Sequence, residues 1–288
     1  MSVVNFRAWV PVERWREQRA VIAVLPLVGV IGGMGNFRRG LSLLSLSSRI
    51  EKAFKIKGLA GVVLAVNSPG GSPVQSALIS KRIRDLAQEK DIPVYAFIED
   101  VGASGGYWLA CAADHIYAQS TSIVGSIGVV SGGFGFVEMI SKLGIERRLH
   151  SAGEKKAMLD PFSPEKPAHV KHLKILQSEM HEEFKEMVRE RRAGKLKEEE
   201  KELFSGAFWT GKKAMEMGLI DDLGDLHQVM QRLYGDKVKI RMIDERRPWW
   251  RQRFTVKRDV AYSDLGYEYT GSLMAAIEER MIWNRFGL

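Results

Sequence analysis

One continuous apolar run constrains the fold of this chain more than any other feature. The residues Gly61-Val-Val-Leu-Ala-Val-Asn67 show no alternation of apolar and polar side chains, and turn residues bound the run on both sides. A strand of this kind is buried on both faces, as in a parallel sheet covered by helices. Strand and helix patterns alternate in the segments that follow, so we predict an α/β fold with a mainly parallel sheet flanked by helices.

The neighbouring segments predict further elements of this fold. Ser72 precedes Pro73 and Gln75, which is the pattern of an N-cap, a proline in the first helical turn and a capping box. Apolar runs predict strands at residues 21–25, 93–98, 115–118 and 145–149. The spacing of apolar residues predicts helices at residues 105–113, 136–143 and 170–192, and a last helix at residues 272–284.

The positive charge of the chain is concentrated in one segment. The formal net charge is +8, from 43 basic and 35 acidic residues. Residues 237–258 hold nine basic and two acidic residues and therefore carry +7 of it. The nearly neutral remainder argues against a protein built to bind nucleic acid. It favours one local basic patch that would meet a membrane surface, an acidic partner or a neighbouring subunit.

Two uncharged stretches need to be tested as membrane segments. Residues 20–37 contain one proline and four glycines, and their apolar part is short for a span of about 20 residues. Arginines precede this run, so a signal peptide is the alternative to a buried strand. Residues 116–137 contain five glycines and several polar residues, and we predict no transmembrane helix. A single cysteine, Cys111, excludes an intramolecular disulfide and favours a reducing compartment.

Three glycine-rich motifs lie where predicted strands give way to helices, which is where α/β folds place their sites. Asn67-Ser-Pro-Gly-Gly71 offers backbone N–H groups to a phosphate or to the oxyanion of acyl transfer, and a tight turn is the alternative. Gly102-Ala-Ser-Gly-Gly106 matches the pattern G-x-S-x-G, which presents a nucleophilic serine. Ser104 as a plain N-cap is the alternative there. The third motif, Gly125-Ser-Ile-Gly128, indicates no specific chemistry.

A serine nucleophile needs a base, and the residues alone do not decide between histidine and lysine. Three histidines fall on the long charged helix, where solvated positions are expected: His169, His172 and His181. No cysteine or carboxylate pattern reinforces a metal site at the first two. His227 follows three aspartates and would complete a Ser-Asp-His order. Lys155 and Lys156 adjoin an apolar stretch, where burial would favour a neutral lysine.

Five motifs occur together in a fixed order. They are Asn67-Ser-Pro-Gly-Gly71, Ala103-Ser-Gly-Gly-Tyr107 with Ala112-Ala-Asp114, Gly125-Ser-Ile-Gly128, Gly153-x-x-Lys156 ending in Asp160-Pro-Phe162, and Thr210-Gly-Lys212 with Gly218-Leu-Ile-Asp221. In this order they resemble the signal peptide peptidase A family, the S49 serine peptidases, which include SohB-like members. The resemblance covers residues 21–233, which is most of the chain.

The resemblance implies a ClpP/crotonase-like α/β fold and a Ser-Lys dyad. Ser104 would be the nucleophile, and Lys156 would be the general base because it occupies the Gly-x-x-Lys position. The backbone N–H groups of Gly70 or Gly71, together with that of Gly105, would form the oxyanion hole. We expect no cofactor and no metal for this chemistry.

The resemblance also implies partners and substrates. The resemblance implies a bowl-shaped oligomer in which serine and lysine can come from adjacent subunits, so we expect a homo-oligomer. The implied substrates are unfolded proteins or apolar peptides, such as signal-peptide remnants. We therefore expect a serine endopeptidase that does not bind nucleic acid.

The chain departs from the family pattern at its beginning. Many family members begin with a transmembrane anchor, whereas residues 1–19 form only an amphiphilic segment. A basic aromatic group offers peripheral contact with a membrane instead, since arginines suit anionic headgroups and tryptophans suit the interface. Its members are Arg246, Arg247, Trp249, Trp250 and Arg251. We expect a cytoplasmic protein with such contact at the inner membrane; a surface or intersubunit patch is the alternative.

The same pattern predicts three parts of the chain and leaves other functions open. We predict an N-terminal extension at residues 1–19, a peptidase-like domain at residues 20–233, and a basic, aromatic and partly helical C-terminal extension at residues 234–288. An α/β-hydrolase-type esterase would pair Ser104 with His227. A crotonase-like acyl-CoA enzyme would need neither Ser104 nor Lys156. A non-enzymatic scaffold would keep only the fold.

Overall fold

A computed structural model of the protein describes residues 20–32, 40–153, 155–243 and 280–287. The strands are β1 (Val21–Val28), β2 (Leu59–Ser68), β3 (Val94–Ala103), β4 (His115–Ala118), β5 (Ile123–Gly125), β6 (Phe208–Thr210), β7 (Asp222–Leu223) and β8 (Lys239–Met242). The helices named here are α1 (Leu43–Phe54), α2 (Pro73–Lys90), α3 (Gly105–Ala110), α4 (Val137–Lys142), α5 (Pro167–Arg191), α6 (Glu200–Leu203), α7 (Gly211–Glu216) and α8 (Leu226–Tyr234).

These strands form one sheet in the order β6-β5-β3-β2-β1-β8, and β4 and β7 extend it from β3. The strand pairs are parallel, except that β5 and β6 are antiparallel. Strand β3 changes its neighbour along its length, because residues 95–98 pair with β4 and residues 101–103 pair with β5. The second half of β3 therefore extends past the end of β4, pairs with β5 and leads directly to Ser104.

Helices cover both faces of the sheet. On β1, Ala23 and Leu25 face the cluster that contains α1, α2 and α3, while Ile22 and Val24 face Val229 and the rest of α8. Strand β2 is buried through six consecutive residues, as the apolar run predicted. The predicted fold class, a mainly parallel sheet flanked by helices, is confirmed.

One predicted strand is wrong. Residues 145–149 are exposed and form no strand. Residues 145–149 have no strand to pair with, because β6 already occupies the outer edge of β5. Residues 128–166, called the arm below, contain no buried position among those described. The apolar residues of the arm therefore do not belong to the core.

The ends of the chain are only partly described. Strand β8 follows residue 233 and pairs with β1, and residues 280–284 are helical as predicted. The division of the chain into three parts stays a prediction. The residues predicted to contact a membrane lie outside the described residues: Arg246, Arg247, Trp249, Trp250 and Arg251. Within the described ranges, no helix combines the length and apolar composition needed to cross a bilayer.

A buried arginine joins the end of α5 to the sheet. The side chain of Arg192 is 2% exposed, and its Nη1 donates to Asp221 Oδ2 at 2.7 Å. Its Nε and Nη2 donate to the carbonyl oxygen of Gly218 at 3.1 and 2.8 Å. Asp221 Oδ2 also accepts from the backbone N–H of Ile116 in β4 at 2.7 Å. The guanidinium therefore bonds two acceptors in the segment between α7 and β7, and Asp221 links that segment to β4.

We expect Arg192→Ala to lower the free energy of unfolding by about 3 kcal/mol, because Gly218 and Asp221 Oδ2 lose a buried charged donor and only the more exposed Lys195 still pairs with Asp221. Arg189 on α5 is the matched control. It pairs with Glu182 and Glu200 and is 34% exposed. Its substitution by alanine should cost less than about 1 kcal/mol. Urea unfolding measures both values, and equal costs would contradict the role of Arg192.

We also expect the Cys111 thiol to be inert in the native protein. Cys111 is fully buried, and burial raises the pKa of its thiol to about 11. The thiolate, which is the reactive form, is therefore scarce and inaccessible. An aromatic disulfide reagent at mildly alkaline pH should label it slowly in the native protein and rapidly in urea. Equal rates in the two states would show that the segment after α3 is open in the native protein.

Candidate active site

Ser104 occupies a sharp turn between β3 and α3. Its backbone has φ 52° and ψ −124°, a conformation that is rare for a residue with a side chain. The backbone N–H of Ser104 donates to the carbonyl oxygen of Gly125 at 2.8 Å, and its carbonyl accepts from Trp108 at 3.0 Å. Strained backbone of this kind persists only where the surroundings hold it, and it is concentrated at functional sites.

The close approach of α3 to β2 explains the small residues of the serine motif. A Cβ atom at Gly106 would collide with the backbone carbonyl oxygen of Ser68 at the end of β2. Only glycine lets the helix begin this close to the strand, so the hydroxyl-bearing residue lies directly above the sheet edge. This is the strand-to-helix geometry that the pattern G-x-S-x-G predicted.

The hydroxyl group of Ser104 does not cap the helix. Its side chain makes no capping hydrogen bond to α3, and the residue is partly exposed. The interpretation of Ser104 as a plain N-cap is therefore not supported. The geometry leaves the Oγ atom free to meet a ligand.

Two backbone N–H groups lie close to each other beside Ser104. A Cβ atom at Gly105 would lie 3.4 Å from the Gly71 nitrogen, so the two amides are neighbours. Within the described residues, neither of these N–H groups donates to a protein acceptor. The N–H group of Gly70 instead donates to Ser68 Oγ at 3.2 Å. Of the three glycines predicted to form an oxyanion hole, Gly71 and Gly105 thus have the free donors.

The loop that carries Gly71 is fixed by the segment after β1. Ile31 donates its N–H to the carbonyl oxygen of Gly70 and accepts from the N–H of Ser72, both at 2.8 Å. Gly71 has φ 141°, and a Cβ atom there would collide with the carbonyl oxygen of Ile31. The glycine pair is required both by conformation and by space, which is a structural reason for the motif Asn67-Ser-Pro-Gly-Gly71.

Gly125 has a role that the sequence did not indicate. Its carbonyl oxygen holds the N–H group of Ser104, and Ser126 donates its N–H to Ala207 next to β6. The third glycine-rich motif therefore supports the strained serine from the neighbouring strand. The sequence offered one signal of this role, which is the position of Gly125 at the end of a strand. The pairing of β5 with β3, which brings Gly125 to Ser104, is visible only in the fold.

Lys156 lies in a different environment from Ser104. It is exposed, in a turn of the arm, and its backbone N–H donates to Gly153 at 3.1 Å. Lys155 in the same turn is exposed as well. Among the described residues, no hydrogen bond joins the ammonium group of Lys156 to Ser104. The single chain therefore assembles the serine and the amides but does not bury the lysine.

A groove of about 1050 Å³ adjoins the turn of Lys156. Ala157, the next residue, lines it, together with apolar side chains of the arm and of the first turns of α5 such as Phe134, Leu149 and Leu173. Ser104 is not part of this lining. The groove therefore belongs to the lysine side of the candidate site.

The structure does not bring the histidine candidates to Ser104. His227 is exposed at the start of α8, its N–H donates to Asp225 Oδ1 at 2.9 Å, and α8 packs on the sheet face opposite to α3. His181 Nε2 lies 3.1 Å from the carbonyl oxygen of Ile127. His169 lines the groove of the arm. Within the described ranges, no three histidine, cysteine or carboxylate side chains are grouped as metal ligands would be.

Comparisons with known proteins identify the family. The family model "Peptidase family S49" matches residues 86–240. "Putative protease slr0021" of Synechocystis sp. is 30% identical over 245 residues, which are 81% of this chain and 84% of that protein. "Serine protease SPPA, chloroplastic" of Arabidopsis thaliana is 28% identical over 239 residues, which are 80% of this chain and 35% of that protein.

A further relative is longer than this chain. "Na(+)/H(+) antiporter NhaA" of Brucella abortus is 47% identical over 281 residues, which are 95% of this chain but 38% of that protein. The chain thus spans little more than a third of that relative. The S49 match extends over more than half of the chain, and it includes β3, Ser104 and Lys156. The chain belongs to peptidase family S49.

Proposed function

We propose that this protein is a serine endopeptidase in which Ser104 is the nucleophile and Lys156 the general base. The observation that carries the proposal is the strained turn at Ser104, with a hydroxyl free of capping and the unpaired N–H groups of Gly71 and Gly105 beside it. Membership of an S49 peptidase family supports hydrolysis of peptide bonds. The chemistry requires a base, for which Lys156 is the proposed residue because of the family motif.

The proposed reaction proceeds in two acyl-transfer steps. The neutral amine of Lys156 takes the proton of Ser104 Oγ, which attacks the peptide carbonyl carbon. The N–H groups of Gly71 and Gly105 donate to the oxyanion of the tetrahedral intermediate. The lysine ammonium then protonates the leaving amine as the C–N bond breaks and an ester forms. Finally the amine takes a proton from water, and the oxygen of that water attacks the ester carbonyl carbon. The lysine ammonium then protonates Ser104 Oγ as the ester C–O bond breaks, which releases the carboxylic acid product.

We propose further that a second copy of the chain completes the site. The arm carries apolar side chains that are strongly exposed: Val130 at 75%, Phe134 at 68% and Leu143 at 65%. Exposed apolar surface of this kind marks an interaction site. Contact with another copy would cover the turn of Lys156 and remove its ammonium group from water, which favours the neutral amine. A dyad shared between copies thus accounts for both the exposed lysine and the exposed arm.

The proposed substrates are unfolded or apolar peptides. The groove beside Lys156 is lined by Leu149, Leu159 and Leu173 as well as by glycine backbone, which suits apolar side chains on an extended chain. Signal-peptide remnants are members of this class. The transport activity named for the Brucella relative is not carried over, since this chain corresponds to 38% of that protein.

We expect Ser104→Ala and Lys156→Ala each to lower kcat on an unfolded protein substrate by at least about a thousandfold, because nucleophile and base act as a unit. Lys155→Ala is the matched control, since Lys155 lies in the same exposed turn. It should retain near wild-type turnover. Light scattering checks that all variants assemble alike. Comparable turnover by the wild type and both dyad variants would contradict the proposal.

A mixing experiment tests whether the dyad is shared. We expect the Ser104→Ala and Lys156→Ala variants each to be inactive alone. An equimolar mixture that is dissociated and reassembled should regain about a quarter of wild-type activity. In a random mixture, that share of interfaces joins an intact serine of one copy to an intact lysine of the next. Mixing without dissociation is the control. Assembled mixtures that stay inactive would place both residues of each dyad in one chain.

A further inference from the structure

Helix α5 packs against the core only through its C-terminal part. Its buried residues are Phe184 and Val188, and none of the described residues from 128 to 183 is buried. We call residues 181–191 the root of α5. The orientation of the first turns of α5, and of the arm that leads into them, is therefore set at this root.

The root of α5 contacts the nucleophile helix directly. The ring of Phe184 stacks on Trp108 of α3 with a centroid distance of 4.8 Å. Arg191 Nε donates to the carbonyl oxygen of Cys111 at 2.8 Å, and its Nη2 donates to that of Ala113 at 2.9 Å. A rigid, two-pronged guanidinium thus holds the turn that follows α3.

The length of α5 makes this attachment sensitive. Residues 167 and 184 are separated by about 26 Å along a helix that rises 1.5 Å per residue. A tilt of about 2° at Phe184 therefore moves the start of α5 by about 1 Å, and a displacement of that size at reacting groups can lower a rate by about a hundredfold. The start of α5 borders the groove beside Lys156 through His169 and Leu173.

We propose that Arg191 is a positioning residue that sets the arm, and with it Lys156, relative to the nucleophile helix. This inference rests on the proposed function of Lys156 as the base. Arg191 itself touches no reacting atom. It fixes the root of α5 against the segment that follows α3 in the same chain. The arm therefore leaves each copy in one orientation and presents Lys156 to Ser104 of the adjacent copy.

Arg84 is a matched control on another helix. Its Nη1 donates to the carbonyl oxygen of Ala112 at 3.3 Å and to Asp114 Oδ1 at 2.8 Å. Arg191 also lies 3.4 Å from Asp114 Oδ1, and the two side chains are similarly exposed, at 21% for Arg84 and 24% for Arg191. Both arginines thus hold the same stretch after α3. Only Arg191 belongs to the helix that continues into the arm.

The test compares kcat and KM of Arg191→Ala, Arg191→Lys and Arg84→Ala on an unfolded protein substrate. We expect Arg191→Ala to lower kcat at least about tenfold with KM changed less than about twofold, because alignment rather than binding is lost. The Arg191→Lys variant keeps one positively charged hydrogen-bond donor, so its kcat should lie between those of Arg191→Ala and the wild type. Arg84→Ala should keep wild-type kcat. Equal kcat values for the two alanine variants would overturn the proposal.

Two controls keep the outcome decisive. Labelling of Cys111 reports whether the segment after α3 stays closed, since this thiol is the only one in the chain. If Arg191→Ala does not fold, Arg191→Lys carries the test, and a wild-type kcat for it would overturn the proposal. Ser104→Ala and Lys156→Ala are assayed in parallel. An active Lys156→Ala would refute the proposed base, whereas inactive dyad variants with a fully active Arg191→Ala would refute only this inference.

Discussion

The strained backbone of Ser104 is the feature on which the rest of the candidate site depends. A side-chain-bearing residue keeps φ 52° here because β3 ends directly before it, the carbonyl oxygen of Gly125 accepts its N–H, and α3 packs against Ser68 through Gly106. Each contact comes from a different element of the sheet. The sheet therefore supplies the free energy that holds a conformation with an intrinsic cost of about 1–3 kcal/mol.

The two halves of the proposed dyad lie in parts of the molecule with different physical character. Ser104 and the amides of Gly71 and Gly105 lie just after the ends of β2 and β3, where hydrogen bonds to neighbouring segments fix the backbone, so they are organised before any ligand arrives. Lys156 lies on an exposed arm without core contacts. Helix α5 joins the two parts, and its root packs on α3. The proposed assembly would therefore change the surroundings of the proposed base without disturbing the nucleophile.

The local geometry around Ser104 could be predicted from the sequence more fully than that around Lys156. The motifs around Ser104 and Gly71 have local causes, since a sharp turn and a close backbone approach demand glycine where the structure shows it. Lys156 was selected only through the family resemblance, because nothing local distinguishes it from Lys155. The strand predicted at residues 145–149 is wrong, since an apolar run becomes a strand only where a partner edge is free.

The sequence by itself determined the alternation of strands and helices, the burial of β2 on both faces and the serine-bearing turn, because each depends on residues close together in the chain. Only the tertiary structure decided that the carbonyl oxygen of Gly125 holds Ser104 and that α8, with His227, lies on the sheet face opposite to α3. It also decided that α5 packs on α3 and binds the segment that follows it. These contacts join residues far apart in the chain. Their geometry follows from the strand order and helix packing, which no local pattern contains.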